Sequence, residues 1–308
     1  MPLRLTLDIF SGRPNPTVVV AGPEEQELLD RLRTAPTVRK GSRSAAVPAL
    51  PPSLLGYRGV VIEPLPSIEP RARSRGRAKA KGALEGPIRI AGGFLHSGRG
   101  GRPTIDPRVD EFICGSTGPL RRAGLDDRFF DKCPEEIDRF RRAVLLYPWK
   151  RWPWPLKLAC RCAPLWEPTW WNDGGQVQGN NNCYNYGTDY RSDTYAQPGL
   201  ANNAMYNTIS CADVKAGAIA DALINSPTAN NKCPKEGHLV ALVVGPGWDF
   251  HWYRKGRNGR WTHKPGGTQA TNVDNSGNPI TDPRTADRGG YTDFCTFMTV
   301  MHGHVKIR

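Results

Sequence analysis

The sequence predicts an α+β protein, in which a small antiparallel N-terminal module is followed by a domain of helices and a twisted antiparallel sheet. Two observations predict this class. Leu3, Leu5 and Leu7 alternate with polar residues, which is the period of a half-buried strand. Towards the other end, an apolar run at residues 238–244 is separated by a short turn from an alternating run at residues 248–254, which favours an antiparallel pair.

The N-terminal module, residues 1–105, combines short strands with one helix. Its predicted strands cover residues 3–10, 17–20, 56–63 and 87–91. Pro23 can occupy the first helical position, and the leucines after it mark the buried face of a helix that ends near Arg33. A basic stretch at about residues 66–85 interrupts the module and is a linker or an insertion between two strands.

Residues 106–157 are predicted to connect this module to the rest of the chain. Their first part, residues 107–146, has the apolar spacing of helices. Residues 147–155 are rich in Trp and Pro, and they favour packing between domains over a membrane-surface or partner patch.

The remainder, residues 158–308, is a domain rich in Cys and His. A helix is expected over residues 213–225. Its inward-facing residues are predicted to be Val214, Ile219, Ala222 and Leu223. After the two strands named above, the Asn-Gly pair at residues 258–259 is a strong hairpin signal, and residues 259–264 return as a third strand.

The 308 residues carry a net charge of +13, which is concentrated in the first half. Residues 159–308 hold 14 Lys and Arg against 12 Asp and Glu, so they are close to neutral. At residues 71–81 a solvated basic linker is favoured over a site for an anionic partner, because this run lacks interleaved aromatic residues and a nucleic-acid motif. The sequence predicts no membrane span, and the N-terminus lacks the apolar core of a Sec signal peptide.

Six of the eight cysteines lie in the second half, which favours disulfides and an oxidising compartment, although no signal peptide is visible. The even number allows complete pairing, so Cys183 is either free or part of a disulfide. No Cys-x-x-Cys pair occurs, which disfavours zinc, and the sequence predicts neither a metal nor a cofactor.

Cys183 and His238 are the strongest candidates for chemistry. Cys183 lies in the run Asn-Asn-Cys-Tyr-Asn-Tyr at residues 181–186, ahead of a predicted short helix, and His238 opens the apolar strand. A thiol near its ordinary pKa is mostly protonated, and a neighbouring imidazole or a helix N-terminus converts it to the thiolate. The chain order therefore indicates a thiol nucleophile with a histidine base.

The second domain resembles the insoluble shell-matrix protein family of molluscs and its bacterial and algal relatives. The resemblance is carried by residues 181–186, 194–199, 237–242, 249–254, 261–266 and 286–292. These ordered blocks span nearly half of the chain and imply a matrix protein, without implying a particular activity. Residues 7–16 also resemble a recurrent bacterial module of unknown function.

The order of the cysteine and the histidine is similar to that of papain-like cysteine hydrolases. This similarity implies that Cys183 is the nucleophile, that His238 is the base, and that Asp249 or His251 orients the imidazole ring. Asp249 and His251 share one face of their strand by the period of two. The predicted substrate-binding residues are Asn182, Tyr184, Trp252 and Arg288.

Two patterns are candidate metal sites, and each has a simpler explanation. His251 and His263 are expected to face each other across the hairpin, with Asp249 nearby, but a structural cross-strand pair is favoured. Residues 272–277 alternate oxygen-bearing side chains as in a calcium loop, but Pro283 stands where the terminal glutamate is required, which favours a plain loop.

The sequence therefore supports two functions of different classes. The first is a papain-like thiol hydrolase or transferase that acts on an amide or peptide, and it requires a reduced Cys183 beside His238. The alternative is a non-catalytic, disulfide-stabilised extracellular or matrix binding module with a polymer or protein partner. The redox state of Cys183 separates the two.

Overall fold

The computed structural model describes residues 2–33, 53–66, 86–96, 108–146 and 160–308. The basic run at residues 71–81 and the Trp- and Pro-rich run at residues 147–155 lie outside the described residues. Helices and antiparallel strands are both well represented, which confirms the α+β class.

The chain divides into two compact units. Unit 1 comprises Met1–Ile9, Asn15–Pro52 and Tyr57–Arg141, and unit 2 comprises Phe10–Pro14, Ser53–Gly56 and Arg142–Arg308. Two short segments of the N-terminal part therefore belong to unit 2. The helices that the sequence predicts as a connector belong to unit 1 as far as Arg141.

Unit 1 contains a five-stranded antiparallel sheet with the strand order β2-β1-β3-β4-β5. Its strands are β1 (Leu3–Asp8), β2 (Thr17–Val20), β3 (Gly59–Pro64), β4 (Ile88–Ala91) and β5 (Phe94–His96). Its helices are α1 (Pro23–Arg33), α2 (Arg108–Cys114) and α3 (Asp127–Leu146), with a 3₁₀ turn at Pro119–Ala123. The alternation predicted for β1 is confirmed, because its leucines are buried.

A buried ion cluster closes the end of β1. The Asp8 carboxylate lies 2.7 Å from the guanidinium groups of Arg58 and Arg89. Burial alone would raise the pKa of Asp8, but the two arginines outweigh it and lower that pKa to about 2.

Unit 2 contains the second five-stranded antiparallel sheet, with the order β6-β10-β7-β8-β9. Its strands are β6 (Ile224–Asn225), β7 (His238–Gly245), β8 (Asp249–Lys255), β9 (Trp261–His263) and β10 (Asp293–Val300). Its helices are α4 (Pro168–Trp171), α5 (Gln176–Asn180), α6 (Cys183–Thr188) and α7 (Cys211–Ala220), with a 3₁₀ turn at Leu200–Asn202.

One prediction for α7 was wrong. The helix begins at Cys211 and ends at Ala220, and residues 224–225 form β6 instead of a last helical turn. Val214 and Leu223 are buried as predicted, whereas Ile219 is 46% exposed and Ala222 is exposed with a positive φ of 71°. The chain leaves the helix in a left-handed conformation at Ala222, and apolar spacing cannot indicate such a turn.

Strand β7 is buried along its whole length because both faces of the sheet are covered. Val240, Leu242 and Val244 pack with α6, α7 and Phe250 on one face, which we call the helix face. Leu239, Ala241 and Val243 pack on the other face, called the loop face, against Tyr291, Ile280 and Leu55 of the segment Ser53–Gly56. This double burial explains why the strand is an uninterrupted apolar run.

Two disulfides cross-link unit 2. Cys160 is bonded to Cys233, and Cys211 at the start of α7 is bonded to Cys295 at an irregularity in β10. The described residues also contain four free cysteines, which are Cys114, Cys133, Cys162 and Cys183. Cys183 is therefore not part of a disulfide, which settles the alternative that the sequence left open.

Candidate functional site

Cys183 lies at the first position of α6, as the sequence predicts. Asn182 caps the helix, since its side chain accepts the backbone N–H of Asn185 and the Asn185 side chain accepts that of Asn182. The Cys183 side chain is fully buried, and its Sγ lies 4.0 Å from the carbonyl oxygen of Phe250. Burial, reinforced by the Asp249 carboxylate, raises the pKa of this thiol well above its ordinary value.

His238 opens β7, also as predicted, and it contacts the opposite end of α6. Its Nε2 lies 2.7 Å from the carbonyl oxygen of Gly187, and its ring packs 5.1 Å from the ring of His302. Burial lowers the pKa of His238 to about 3, and Nδ1 has no hydrogen-bond partner among the described residues. Among the described residues, no hydrogen bond joins His238 to Cys183. His238 contacts α6 at Gly187, which lies four residues after Cys183, about 6 Å along the helix axis.

His251, one of the two candidate orienting residues, lies on the other side of the sheet from Cys183. Phe250 and Trp252 of β8 face the helices and pack with Cys183. His251 alternates with them and packs against Tyr253 on the loop face. The sheet therefore separates His251 from the helix face that holds Cys183 and His238.

Asp249 is a fully buried carboxylate that holds the segment Phe10–Pro14. It accepts hydrogen bonds from the backbone N–H groups of Ser11, Gly12 and Arg13 and from the hydroxyl of Tyr291. The Arg13 nitrogen lies 3.0 Å from Asp249 Oδ1. Burial raises the pKa of Asp249, and these donors partly offset that effect. Its oxygens are therefore committed to four donors, and the ring of His238 is not among them.

The segment Phe10–Pro14 also covers the start of α6. The carbonyl oxygen of Gly12 accepts hydrogen bonds from Asn182 at 2.9 Å and from Gln197 at 2.8 Å. A Cβ on Gly12 would lie 2.4 Å from the Phe250 ring, so only glycine fits this approach. The run lies between two predicted strands, and nothing local in the sequence indicates its partners, which lie at the far end of the chain.

The residues predicted to bind substrate are mostly part of the core. Asn182, Tyr184 and Trp252 are fully buried, and the Tyr184 hydroxyl donates to Asp221 at 2.9 Å. Arg288 is partly exposed and donates to the carbonyl oxygen of Thr292 at 3.1 Å. The structure does not bring these four side chains together in an open pocket next to Cys183.

His251 and His263 do face each other, as the hairpin predicts. His251 Nε2 lies 2.9 Å from His263 Nδ1, and His263 Nε2 lies 2.9 Å from the carbonyl oxygen of Val273. Burial lowers the pKa of His263 to about 4. The two rings hydrogen-bond to each other, and the described residues hold no cluster of three ligands that suits a metal ion.

The loop that resembles a calcium site uses its carboxylate internally. Asp274 accepts the backbone N–H groups of Ser276 at 3.0 Å, Asn278 at 2.9 Å and Asp287 at 3.0 Å. Asn275 anchors the backbone of Leu55 on the loop face. The loop is stabilised by its own hydrogen bonds, as in an Asx turn.

These features define a disulfide-linked α+β domain in which the candidate catalytic side chains serve as internal packing and hydrogen-bonding groups. The chain is 44% identical over 141 residues to insoluble matrix shell protein 1 of Ruditapes philippinarum, which covers 45% of this chain and 91% of that protein. The chain therefore belongs to the insoluble matrix shell protein family. No family model matches the chain, and no solved structure matches it.

Two further findings concern the environment of the protein. The two disulfides fit an oxidising compartment. None of the described helices is long and apolar enough to cross a membrane.

Proposed function

We propose that this protein is a non-catalytic, disulfide-stabilised binding module of an insoluble extracellular matrix. The observation that carries the proposal is the 44% identity to a protein whose name places it in an insoluble shell matrix, over almost all of that protein's length. The buried state of the residues that a hydrolase would need supports the same conclusion.

The environment of Cys183 argues against a nucleophile. A thiol nucleophile reacts as the thiolate, which requires a lowered pKa and access for a substrate. Here burial raises the pKa of Cys183, its Sγ–H points to the Phe250 carbonyl, and the segment Phe10–Pro14 covers the start of its helix. These are the properties of a structural cysteine that packs as a small apolar side chain.

The environment of His238 supports the same conclusion. A base that activates a thiol is stabilised as an imidazolium beside the thiolate, which raises its pKa. Burial instead lowers the pKa of His238 to about 3, so the ring is neutral at physiological pH.

The two disulfides suit a protein that persists outside the cell. They close chain separations of 73 and 84 residues. In the chain-entropy description, each cross-link of that size lowers the entropy of the unfolded chain by the equivalent of about 4–5 kcal/mol. The two cross-links thereby stabilise unit 2.

Thiol labelling of the native protein distinguishes this proposal from the hydrolase. Cys162 is free and exposed, so it provides an internal positive control in the same molecule. We expect an alkylating reagent to label the exposed Cys162 of the native protein at pH 8 to 9, and to label Cys183 at any pH only after unfolding. Labelling of Cys183 below pH 7 that His238→Ala abolishes would overturn the proposal and favour the hydrolase.

Co-sedimentation tests the binding function itself. The intact, disulfide-bonded chain is mixed with washed insoluble matrices of three classes, which are neutral polysaccharide, anionic polysaccharide gel and fibrous protein. We expect saturable binding to at least one class at physiological salt. Recovery of the chain in the supernatant with all three classes would contradict a matrix-binding role.

A further inference from the structure

An exposed aromatic pocket on unit 2 has no role in the internal packing described above. It has a volume of about 420 Å³ and is lined by Glu167, Thr169 and Trp170. It is an open surface depression, so it can contact one face of a ligand and leaves the other face in solvent. All three residues are exposed, and Trp170 is 60% exposed, whereas the neighbouring Trp171 is buried.

The fold holds Trp170 in a fixed position. The next residue, Trp171, is buried and packs edge-on against the Tyr186 ring at 5.1 Å, which anchors the short helix α4. The Arg191 guanidinium lies 4.2 Å from the centre of the Trp170 ring and donates to the Trp170 carbonyl at 3.1 Å. One side of the indole is therefore occupied by Arg191, while much of the ring remains open to solvent.

The charges around the pocket restrict the class of ligand. The Arg191 guanidinium beside the ring and the Glu167 carboxylate in the pocket wall carry opposite charges that offset each other, so the site favours neither a cationic nor an anionic ligand. A purely apolar ligand would displace the water molecules that hydrogen-bond to Glu167 and Thr169 and would offer no hydrogen bonds in their place. A neutral ligand that combines an apolar face with many hydroxyl groups satisfies all three side chains.

We propose that this pocket binds a pyranose ring of a neutral polysaccharide. The C–H face of the sugar stacks on the open part of the Trp170 indole, while its hydroxyls donate to the Glu167 carboxylate and exchange hydrogen bonds with the Thr169 hydroxyl. Because the three residues lie on an open surface, a ring in the interior of a long chain can occupy the pocket. The proposal rests on the matrix-binding function above and names its ligand class and its site.

The test uses the full chain in its disulfide-bonded form with microcrystalline cellulose and with chitin as probes. We expect Trp170→Ala to weaken binding to the probe that the wild type prefers by about tenfold or more, since aromatic anchors dominate such contacts. Trp170→Tyr, which retains a stacking ring, should recover part of the affinity. Ile224→Ala is the matched control, because Ile224 is 52% exposed on β6 and outside the pocket, and it should bind as the wild type does.

Two controls make the result specific to the pocket. Circular dichroism and the intact masses of the two disulfide-linked peptides show whether each variant is folded. Soluble oligosaccharides of the same sugar should release the wild type from the solid probe. The small amount of Trp170→Ala that remains bound should not be released by them, because its binding does not use the pocket.

The outcomes separate this inference from the proposed function. Binding to fibrous protein or to an anionic gel, but to neither neutral polysaccharide, would overturn the pocket's ligand and leave the matrix function standing. Binding to a neutral polysaccharide that Trp170→Ala leaves unchanged would overturn the site alone. Recovery of the wild type in the supernatant with every matrix would overturn both.

Discussion

The substitution His238→Gln tests the buried neutral histidine that distinguishes the two functions. Glutamine can still donate a hydrogen bond to the Gly187 carbonyl, but it does not titrate. The substitution therefore removes the coupling of folding to protonation at this position while it retains the main hydrogen bond of the native ring.

The size of the effect follows from the lowered pKa. The unfolded histidine has a pKa of about 6.5, and burial lowers the folded value to about 3. Between these values the unfolded chain binds one more proton, so stability rises with pH. The contribution is complete above pH 6.5 and is lost as the pH falls towards 3, at about 1.4 kcal/mol per pH unit. Acidification from pH 6.5 to 4.5 therefore costs the wild type about 2.5 kcal/mol at this residue.

Urea unfolding followed by tryptophan fluorescence measures this difference. The six tryptophans among the described residues all lie in unit 2, so the signal reports the unit that contains His238. We expect the wild type to lose about 2.5 kcal/mol more stability than His238→Gln between pH 6.5 and 4.5. The exposed His304 provides the control, and His304→Gln should follow the wild type.

Parallel stability profiles for the wild type and His238→Gln would refute the buried neutral state. A wild type that gains stability relative to His238→Gln on acidification would show a raised pKa instead. That result is the one expected of an imidazolium paired with a thiolate, and it would favour the hydrolase.

Three further predictions concern other parts of the chain. Asp249→Ala should destabilise unit 2 by about 3 kcal/mol or more, because Tyr291 and three backbone N–H groups lose their buried acceptor, and Asp249→Asn should cost less in the same urea assay. Replacing both Cys211 and Cys295 by Ser should lower the free energy of unfolding by about 2–5 kcal/mol, and the addition of a reductant should then have a smaller effect than on the wild type. If the basic run at residues 71–81 binds an anionic partner, retention of the chain on heparin should fall steeply with added salt, and deletion of the run should make that dependence clearly less steep.

Each of these outcomes can contradict its reasoning. A wild-type midpoint for Asp249→Ala would show that the segment Phe10–Pro14 does not depend on this carboxylate. Unchanged stability of the double Ser variant would show that the Cys211–Cys295 disulfide does not stabilise unit 2. If the deletion variant is retained on heparin as strongly as the wild type, the positive charges at residues 71–81 serve only to keep that run solvated.

Much of the local structure could be predicted because it depends on spacing along the chain. The alternation of Leu3, Leu5 and Leu7 predicts a half-buried strand, and β1 is one. Pro23 and the leucines that follow it define a helix that spans Pro23–Arg33. The position of Cys183 at a helix start and of His238 at a strand start was also predictable, since caps and apolar runs are local signals.

The relation between these residues could not be predicted, because it depends on how the elements pack. Period two placed Asp249 and His251 on one face of β8, but no spacing indicates whether that face is the one that α6 covers. The same limit applies to α7, where the turn at Ala222 exposes Ile219 in spite of the apolar spacing of the helix. The exposure of Trp170 beside the buried Trp171 is likewise set by the surroundings of α4, since the two residues are chemically identical.

The sequence by itself determined the α+β class, the local positions of the candidate residues and the resemblance to shell-matrix proteins, because each of these is encoded in short ordered blocks. The tertiary structure decided the state of those residues. Asp249 accepts a hydrogen bond from Ser11, which lies 238 positions earlier in the chain. Cys183 lies against Phe250 of β8, and the preceding residue, Asn182, donates to Gly12 of the same N-terminal segment. Burial and the choice of hydrogen-bond partner set the pKa of a thiol or an imidazole, and both arise only when distant parts of the chain come together.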